Sequence, residues 1–186
     1  MLLAIIIIYL HVGSTYLNYI KFIEFSENRQ LILWLCFFIG FAIKVPMIPF
    51  HIWLPEAHVE APTSGSILLA GILLKLGTYG FLRFLIPLFP YGYYYFKPLI
   101  FLLCIISIVY GSFATIRQID LKKIIAYSSV VHMNFTIIGL FTDSLIGLQG
   151  GFFSMISHGI ISGSLFFCIG MLYDRYHSRL LYYYGG

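Results

Sequence analysis

Two lysines lie deep inside long apolar stretches of the sequence, where a charged side chain is costly to bury. Lys44 follows Leu31 by 13 residues and Lys75 follows Pro62 by 13 residues. At 1.5 Å per residue, each is predicted about 20 Å along its helix, where a lysine costs about 3 kcal/mol unless it faces water or a partner. A desolvated lysine can release its proton near neutral pH. We interpret both as proton-transfer groups; permanent structural ion pairs are the alternative.

Two histidines near the centres of later apolar segments have hydroxyl side chains one helical turn away on both sides. The two sets are Ser128, His132 and Thr136, and Ser154, His158 and Ser162. A spacing of four residues puts each set on one face of a helix. Because histidine titrates near pH 7, these polar stripes are typical of supports for a hydrated proton path. A hydrogen-bonded core histidine is the alternative for each.

Lys44 is followed by two prolines that predict a broken helix. Pro46 and Pro49 lack the backbone N–H groups that would bond the carbonyls of Ala42 and Val45. Broken helices are tolerated in a membrane only where protein or water satisfies the freed backbone groups, and in transporters they mark the ion path. We predict that the helix breaks beside a site of ion transfer; a purely structural kink is the alternative.

The connector from His51 to Glu60 contains two histidines and two glutamates, which also occur in metal sites. Pro55 interrupts this segment, and its spacing differs from the helical His-Glu-x-x-His arrangement that binds zinc. We interpret the connector as a polar surface loop or a proton inlet, and we predict no metal site. Since the sequence has no Gly-rich phosphate loop, catalytic triad or haem attachment motif, we expect no cofactor and no redox chemistry in this chain.

The chain that positions these groups is strongly apolar. Of its 186 residues, 60% are hydrophobic and 10% are charged, whereas a soluble domain has about 25% charged residues. Apolar runs of about 20 residues predict membrane-spanning helices, and they lack the alternation of barrel strands. We predict an all-α fold: a polytopic transmembrane helical bundle, one domain over residues 1–186, with a Pro-broken helix. The six predicted spans are about Leu2 to Ile20, Leu31 to Phe50, Pro62 to Ile86, Pro98 to Arg117, Leu121 to Phe141, and Ile146 to Tyr173.

The charge pattern argues against a nucleic-acid partner. The net charge of +4 is spread over short loops and forms no basic tract for nucleic acid or anionic lipid. Lys122 and Lys123 are counted with the charges at one membrane surface. Tyrosines around Tyr93 and Tyr183 lie just outside predicted spans, as an aromatic belt at the membrane interface requires. The expected surroundings are therefore membrane lipids.

A long stretch of the sequence resembles a known family. The residues that carry the resemblance are Lys44-Val45-Pro46, His51-x-Trp53-Leu54-Pro55-Glu56-Ala57-His58-x-Glu60-Ala61-Pro62-Thr63, Leu69-Ala70-Gly71-Ile72-Leu73-Leu74-Lys75, Asp120-Leu121-Lys122-Lys123, and His158-Gly159. They resemble the antiporter-like membrane subunits of proton-pumping NADH:ubiquinone oxidoreductase, respiratory complex I. Within that family they are similar to subunit 4 rather than to subunits 2 and 5.

The resemblance implies a role for each predicted site residue. Lys44 would be the half-channel lysine on the broken helix, and Lys75 would be the connecting lysine. His132 and His158 would be the histidines of the central axis. The family has two inverted repeats, and this chain would hold the last three helices of the first and the first three of the second. The span interiors contain no carboxylate, and an unpaired buried cation is costly. We therefore expect a separate chain to supply missing helices and a carboxylate near Lys44.

The resemblance also implies partners and a location. The partners would be other membrane-arm subunits, with FMN, iron–sulfur clusters and ubiquinone bound in partner subunits of the enzyme. The start, Met1 to Leu10, lacks the basic region of a cleaved signal. We expect the mitochondrial inner membrane, with a bacterial inner membrane as the alternative. There are two alternative functions. The chain could be a subunit of a cation/proton antiporter, or a structural fragment of the membrane arm that does not pump.

Overall fold

The computed structural model describes residues 1–184, which fold into helices joined by short connections. Among these residues the only extended pairing is a single bridge between Asp120 and Leu180. The predicted all-α fold is confirmed. The helices are α1 (Leu2–Val12), α2 (Leu17–Ile20), α3 (Glu27–Lys44), α4 (Trp53–Glu60), α5 (Thr63–Leu88), α6 (Pro90–Ile116), α7 (Leu121–Leu140) and α8 (Leu145–Tyr176).

Helices α5 to α8 are long and apolar enough to cross a membrane. They contain 26, 27, 20 and 32 residues, and about 20 apolar residues cross a hydrocarbon core of about 30 Å. They overlap with the last four predicted spans, because these apolar runs contain no polar interruption that would end a helix. Large apolar side chains point outward, such as Phe113 at 68% and Ile146 at 81% exposed, as contact with lipid or with neighbouring apolar helices requires.

The first two predicted spans are shorter in the structure. Gly13 adopts a left-handed φ of 72° and ends α1 after 11 residues, a common way for a helix to stop. At 1.5 Å per residue α1 is about 16 Å long, so the predicted first span is corrected to a helix that is too short to cross a bilayer. Helix α3 has 18 residues and includes Glu27, Arg29 and Lys44, which makes it more polar than the four long helices.

Helix α6 begins earlier than the span predicted from Pro98. Pro90 occupies the first helical position, where the missing N–H leaves no helical bond unmade. Pro98 then lies inside the helix and removes one backbone bond, to the carbonyl of Tyr94. The tyrosine-rich segment predicted as a connector is therefore helical. One of its tyrosines, Tyr93, is buried, and its hydroxyl oxygen lies 3.1 Å from the Phe141 carbonyl oxygen.

An aromatic core joins α3 to the long helices. Trp34 is fully buried and stacks on Phe38 and Phe96, with ring centroids 4.9 and 4.7 Å away. Phe81 of α5 meets both Phe41, near the end of α3, and Phe141, after α7, edge to face at 5.6 Å. Each such pair stabilises the fold by about 0.5–1.5 kcal/mol beyond the burial of its area. The core therefore holds the end of α3, which carries Lys44, against α5.

The connection between α7 and α8 is attached to α6 by polar side chains. Asp143 pairs with the ammonium of Lys97 and accepts a hydrogen bond from the Tyr93 hydroxyl at 2.9 Å. These bonds from Lys97 and Tyr93 lower the pKa of Asp143 below its ordinary value. Because the Asp143 side chain is 54% exposed, solvent screens the ion pair and its contribution to folding is small.

Helix α5 contains two wide π turns, at Leu69–Leu73 and Phe81–Leu85. A π turn bonds residue i to i+5, contains one more residue than an α turn, and often occurs at functional sites. The two π turns flank the α-helical segment Leu74–Gly80, which carries Lys75.

Candidate proton-transfer site

Helix α3 ends at Lys44, directly before the two prolines that predicted a break. The residues between Lys44 and Trp53 form turns, and α4 begins at Trp53. The predicted Pro-broken helix is confirmed. Since Pro46 and Pro49 cannot donate backbone hydrogen bonds, the Ala42 carbonyl accepts instead from the N–H of Met47 at 3.0 Å. Other backbone groups at the break need partners from elsewhere.

Side chains from other helices satisfy the backbone at this break. The Trp53 indole N–H donates to the Ile43 carbonyl at 2.9 Å, next to Lys44. The hydroxyl of Ser107, which is fully buried in α6, accepts a hydrogen bond from the N–H of Ile48 at 2.9 Å. The break is therefore held from both α4 and α6.

A buried amide of α7 completes this support. Asn134 is fully buried, and its amide donates to the carbonyl of Val130 at 2.8 Å and more weakly to that of Pro46 at 3.4 Å. The sequence analysis missed both Ser107 and Asn134. Each is a polar residue near the middle of an apolar helix, which indicates a buried partner but does not identify it.

Lys44 lies at the end of α3, not within a span as the sequence analysis predicted. The helix starts earlier than predicted, at Glu27, and stops at the break, so Lys44 is its last residue. Its side chain is exposed. The two ion pairs formed within residues 1–184 are Lys97–Asp143 and Lys123–Glu56, so Lys44 has no carboxylate partner there. The partial negative charge at a helix C-terminus favours a cation at this position.

Lys75 forms a direct polar contact between α5 and α8. Its Nζ lies 2.8 Å from Nδ1 of His158. It also donates to the carbonyl of Ala70, which lies in the first π turn of α5. Lys75 is half-buried, and these two acceptors hold its ammonium at a fixed place between the helices.

Glycines allow α5 and α8 to approach closely beside Lys75. A methyl group at Gly159 would lie 3.1 Å from the Gly71 carbonyl oxygen and 3.3 Å from Cε of Lys75. A cavity of about 460 Å³, lined by residues that include Met155 and these glycines, adjoins the lysine. The cavity is large enough for water molecules, which need polar partners such as the ammonium.

The two predicted histidines are neighbours across α7 and α8. The ring centroids of His132 and His158 are 6.0 Å apart and the ring planes are inclined by 48°, a separation that one water molecule can bridge. His158 is 8% exposed, whereas His132 is exposed on the described chain. Lys75, His158 and His132 therefore form one row across three helices, which we call the basic row.

Two of the four predicted hydroxyl supports meet between α7 and α8. The hydroxyl oxygens of Thr136 and Ser154 are 3.1 Å apart, so the two polar stripes face each other at this point. Ser128 and Ser162 instead donate to carbonyls of their own helices, at 2.8 and 2.6 Å. These two hydroxyls lie along the stripes but do not connect them.

The broken helix touches α5 two residues beyond Lys75. A methyl group at Gly77 would lie 2.4 Å from Cγ2 of Val45 and 3.1 Å from Cβ of Lys44. Because any side chain would clash here, glycine lets the end of α3 contact α5. The structure thus brings Lys44 against the helical segment that carries the first member of the basic row.

The connector predicted as a polar surface loop is a helix with a buried face. Helix α4 contains Pro55 in its first turn, where the missing N–H has no helical partner, so this prediction was wrong. His58 is fully buried and stacks on Phe166 with ring centroids 4.3 Å apart. Burial, and then the positive charge of Lys122, lower the pKa of His58 to about 4. The ring is therefore neutral at physiological pH.

His51 precedes α4 and is also buried, at 6% exposure, with its ring edge to face with Tyr110 at 5.2 Å. Burial lowers the pKa of His51 below its ordinary value. The ring nitrogens of His58 have no hydrogen-bond partner among the described residues, and buried polar groups of this kind are normally bonded to water. Neutral imidazoles thus lie along α4, on the far side of the break from α3.

Lys122 was counted as a surface charge, and the structure corrects this. It is 1% exposed, and its ammonium donates to the Ala61 carbonyl at 2.9 Å, just beyond α4. The next residue, Lys123, is partly exposed and pairs with Glu56 at 3.0 Å. Helical phase is the signal that separates the two lysines. The buried residues on the face of Lys122 are Ala126, Ser129 and Met133.

Spanning helices, a Pro-broken helix and basic groups joined across helix interfaces define an antiporter-like membrane subunit. The family model described as "NADH:quinone oxidoreductase/Mrp antiporter, TM" matches residues 1–186. The chain belongs to this family, and the resemblance seen in the sequence is confirmed.

Curated relatives match along the whole chain. The NADH-ubiquinone oxidoreductase chain 4 of Prototheca wickerhamii is 64% identical over 186 residues, which are 100% of this chain and 36% of the relative. Chain 4 of Marchantia polymorpha is 60% identical over 186 residues, 100% of this chain and 38% of the relative. The chain therefore spans less than two fifths of the length of these relatives.

Solved structures share the fold. A chain of respiratory complex I from Thermus thermophilus is 31% identical, with a TM-score of 0.90 over 97% of this chain and 39% of that one. A chain of the Mrp complex from a Dietzia species is 20% identical, with a TM-score of 0.83 over 91% of this chain and 32% of that one. At that lower identity, the second match shows the fold alone.

Proposed function

We propose that this chain is the central part of a proton-translocating membrane subunit of NADH:ubiquinone oxidoreductase. Protons would pass through Lys44 and then along the basic row. The observation that carries the proposal is the 2.8 Å contact between Nζ of Lys75 and Nδ1 of His158. The relatives named chain 4 of that enzyme, at 60% identity or more over the whole chain, support the assignment to this enzyme.

The contact between Lys75 and His158 is a donor–acceptor pair that can move a proton. The ammonium donates to Nδ1, which accepts only when the ring is neutral and carries its hydrogen on Nε2. When the proton moves to Nδ1, the lysine becomes a neutral amine and the ring an imidazolium. The imidazolium then releases its Nε2 proton through a water molecule to His132. The Ala70 carbonyl accepts from either form of Lys75 and keeps the amine in place.

The redox reaction that drives this transfer would occur in partner subunits. FMN, iron–sulfur clusters and ubiquinone would be bound there, and this chain would supply only the membrane path. The relatives from Prototheca and Marchantia are 64% and 60% identical, against 31% for the Thermus chain. This difference supports a mitochondrial inner membrane location over a bacterial one.

A carboxylate from outside the described residues would neutralise Lys44. The lysine is exposed on the described chain and is absent from the ion pairs within residues 1–184. In a membrane such a cation requires a partner or water. The structure of the assembled enzyme tests this: the proposal requires an Asp or Glu of a neighbouring helix next to Lys44, and a purely apolar surrounding would contradict it.

Replacing Lys75 by glutamine in the assembled enzyme tests the function itself. Glutamine keeps a hydrogen-bond donor near His158 but cannot give up a proton. We expect assembly to persist and the protons pumped per NADH oxidised, measured in sealed vesicles, to fall at least about threefold. The matched control is Lys21→Gln, since Lys21 is exposed in a turn. Normal pumping by the Lys75→Gln enzyme would favour the non-pumping structural role.

A cation/proton antiporter subunit is the second candidate, because the family and the Mrp structure share this fold. Purification of the native assembly separates the two. Co-purification with flavin and iron–sulfur subunits supports the enzyme. An assembly without redox centres that exchanges Na⁺ for protons supports the antiporter.

A further inference from the structure

Two cations converge on the C-terminal end of α4. Lys122 is 1% exposed, and its Nζ donates to the Ala61 carbonyl at 2.9 Å. Nη1 of Arg179 donates to the Val59 carbonyl at 2.7 Å. Neither cation forms an ion pair with a carboxylate of residues 1–184. The nearby Asp120 carboxylate accepts a hydrogen bond from the backbone N–H of Lys122 at 2.8 Å.

The end of α4 supplies the negative charge that these cations lack. The last carbonyls of a helix have no helical partner, and the aligned peptide dipoles place about half a negative charge there. Hydrogen bonds from a cation to such carbonyls are stronger than bonds between neutral groups. A helix of 8 residues is too short to be stable alone, so its position depends on contacts of this kind.

The two cations are themselves anchored together. The backbone N–H of Leu121 donates to the Arg179 carbonyl at 3.0 Å, which pairs the start of α7 with the segment after α8. The Arg179 guanidinium also lies 4.5 Å from the centroid of the Tyr173 ring, a cation–π contact that restricts its direction. The end of α4 is therefore fixed to α7 and α8, the helices that carry the histidines of the basic row.

The other end of α4 reaches the break. Trp53, its first residue, donates to the Ile43 carbonyl next to Lys44 at 2.9 Å. The two ends of the helix are about 12 Å apart at 1.5 Å per residue. A rigid helix transmits a shift of one end to the other, so the position of Val59 and Ala61 affects the backbone beside Lys44.

We propose that Lys122 and Arg179 are positioning residues for proton transfer, which hold the end of α4 and through Trp53 fix the backbone beside Lys44. This inference rests on the proposed function. The cations do not carry protons along the path. They keep α4, and with it the neutral ring of His58, at a constant distance from the break.

Hydrogen exchange and pumping in the assembled enzyme test the inference together. Lys122→Gln removes the charge, and we expect the amides of residues 57–61 to exchange about tenfold faster, because a bond to a charged group stabilises by about 1.5 kcal/mol or more. We expect protons pumped per NADH to fall at least about threefold. Lys122→Arg keeps the positive charge, and we expect its amide exchange at residues 57–61 and its protons pumped per NADH to match those of the wild type. Lys123→Gln is the matched control. Lys123 also contacts α4, through Glu56, but the two side chains are 30% and 60% exposed, so solvent screens this pair and its loss should change neither value.

The results for these variants either support or overturn the inference that Lys122 and Arg179 position α4. Unchanged exchange and pumping in the Lys122→Gln enzyme would overturn the inference. If that enzyme does not assemble, Arg179→Gln is measured in the same way; failure of both to assemble would show a folding role and also overturn it. Lys75→Gln is included as a reference. If that variant pumps normally, the proposed function fails, while the exchange at residues 57–61 still tests whether the cations position α4.

Discussion

Lys75 is the residue with the most closely fitted surroundings in the site. Its ammonium has two acceptors, the Ala70 carbonyl and Nδ1 of His158, and its Cε lies 3.3 Å from the position that a Cβ atom at Gly159 would take. The geometry of the proposed transfer step therefore depends on the absence of a side chain at Gly159. A substitution that adds one methyl group next to Lys75 tests this dependence and leaves the charge of the lysine in place.

Gly159→Ala should displace Lys75 and weaken pumping. The new methyl group would lie 3.1 Å from the Gly71 carbonyl oxygen and 3.3 Å from Cε of Lys75, and overpacking of this kind costs about 1–3 kcal/mol. We expect fewer protons pumped per NADH and a lower melting temperature of the assembled enzyme. Gly150→Ala is the control, because α8 leaves open space at Gly150 and alanine favours a helix. Equal effects of the two variants would contradict the proposed contact.

The neutral ring of His58 predicts a pH dependence of stability. Its folded pKa of about 4 lies below the ordinary value of about 6.5, so between these values the unfolded chain takes up a proton that the folded chain does not. Stability should therefore fall as the pH drops through about 6.5 and level off below about 4. His58→Phe keeps the stacking on Phe166 but has no group to protonate, so its stability should fall less than that of the wild type as the pH drops.

The measurement is the melting temperature of the assembled enzyme between about pH 7.5 and about pH 5.5, for wild type and variant. We expect the wild type to lose more than the His58→Phe enzyme over this interval. Parallel declines would mean that His58 is already protonated in the fold or accessible to water.

Individual site residues could be predicted from the sequence where the residue type and its depth within an apolar helix alone indicate a free-energy cost of burial. Lys75 and His158 stand out in any apolar helix, and the structure places them in contact. Helical phase places Lys122 on the apolar face of α7, but its partner could not be identified from the sequence, because the Ala61 carbonyl lies beyond α4, a distant element. The same holds for Asn134, whose partner at the break lies 88 residues away in sequence.

At the scale of elements, the broken helix depends on side chains donated by its neighbours. Ser107→Ala should destabilise the break by about 1–3 kcal/mol, because it leaves the N–H of Ile48 without a partner. Ser112→Ala, in the same helix, should cost less than about 0.5 kcal/mol, since its hydroxyl bonds only the carbonyl of Ile108 in its own helix.

Limited proteolysis and thermal unfolding of the assembled enzyme measure this effect. The Ser107→Ala enzyme should be cleaved faster within residues 45–52 and should melt at a lower temperature than the Ser112→Ala enzyme. If both serine variants behave like the wild type, water rather than Ser107 satisfies the backbone at the break.

The elements that were predicted well are those whose apolar runs are continuous. Helices α5 to α8 lie where the sequence analysis expected spans, because an uninterrupted apolar run in lipid has few ways other than a helix to satisfy its backbone. Helix α4 was missed because Pro55 was taken as an interruption, although a proline in the first turn leaves no bond unmade. The length of α1 depended on Gly13 and its left-handed backbone, which apolar composition does not indicate.

At the scale of the whole molecule, the site extends from surface to surface of the described chain. Lys44 and His132 are exposed, whereas His158 is buried and Lys75 half-buried between them. The middle of the proposed path would thus lie within the bundle, and its two ends would be available to neighbouring helices. This arrangement fits a chain that spans 36% of the length of a relative.

The exposed apolar surface predicts behaviour as an integral membrane protein. Four helices are long and apolar enough to cross a bilayer, and their outward side chains would contact lipid or neighbouring apolar helices. After extraction of membranes with alkaline carbonate, we expect the chain in the pellet, and only detergent should release it. Release by carbonate alone, like that of a peripheral control protein, would contradict the predicted insertion.

The two π turns of α5 divide this helix into three rods whose rotations about the axis are set independently. Each π turn accommodates one extra residue, so winding Leu69–Leu73 as a regular α turn without removing a residue would rotate everything beyond it by about 100°. Lys75 would then face away from α8 although every residue around it was unchanged. The angular phase of the lysine is therefore specified by the winding of one backbone turn and not by any side chain.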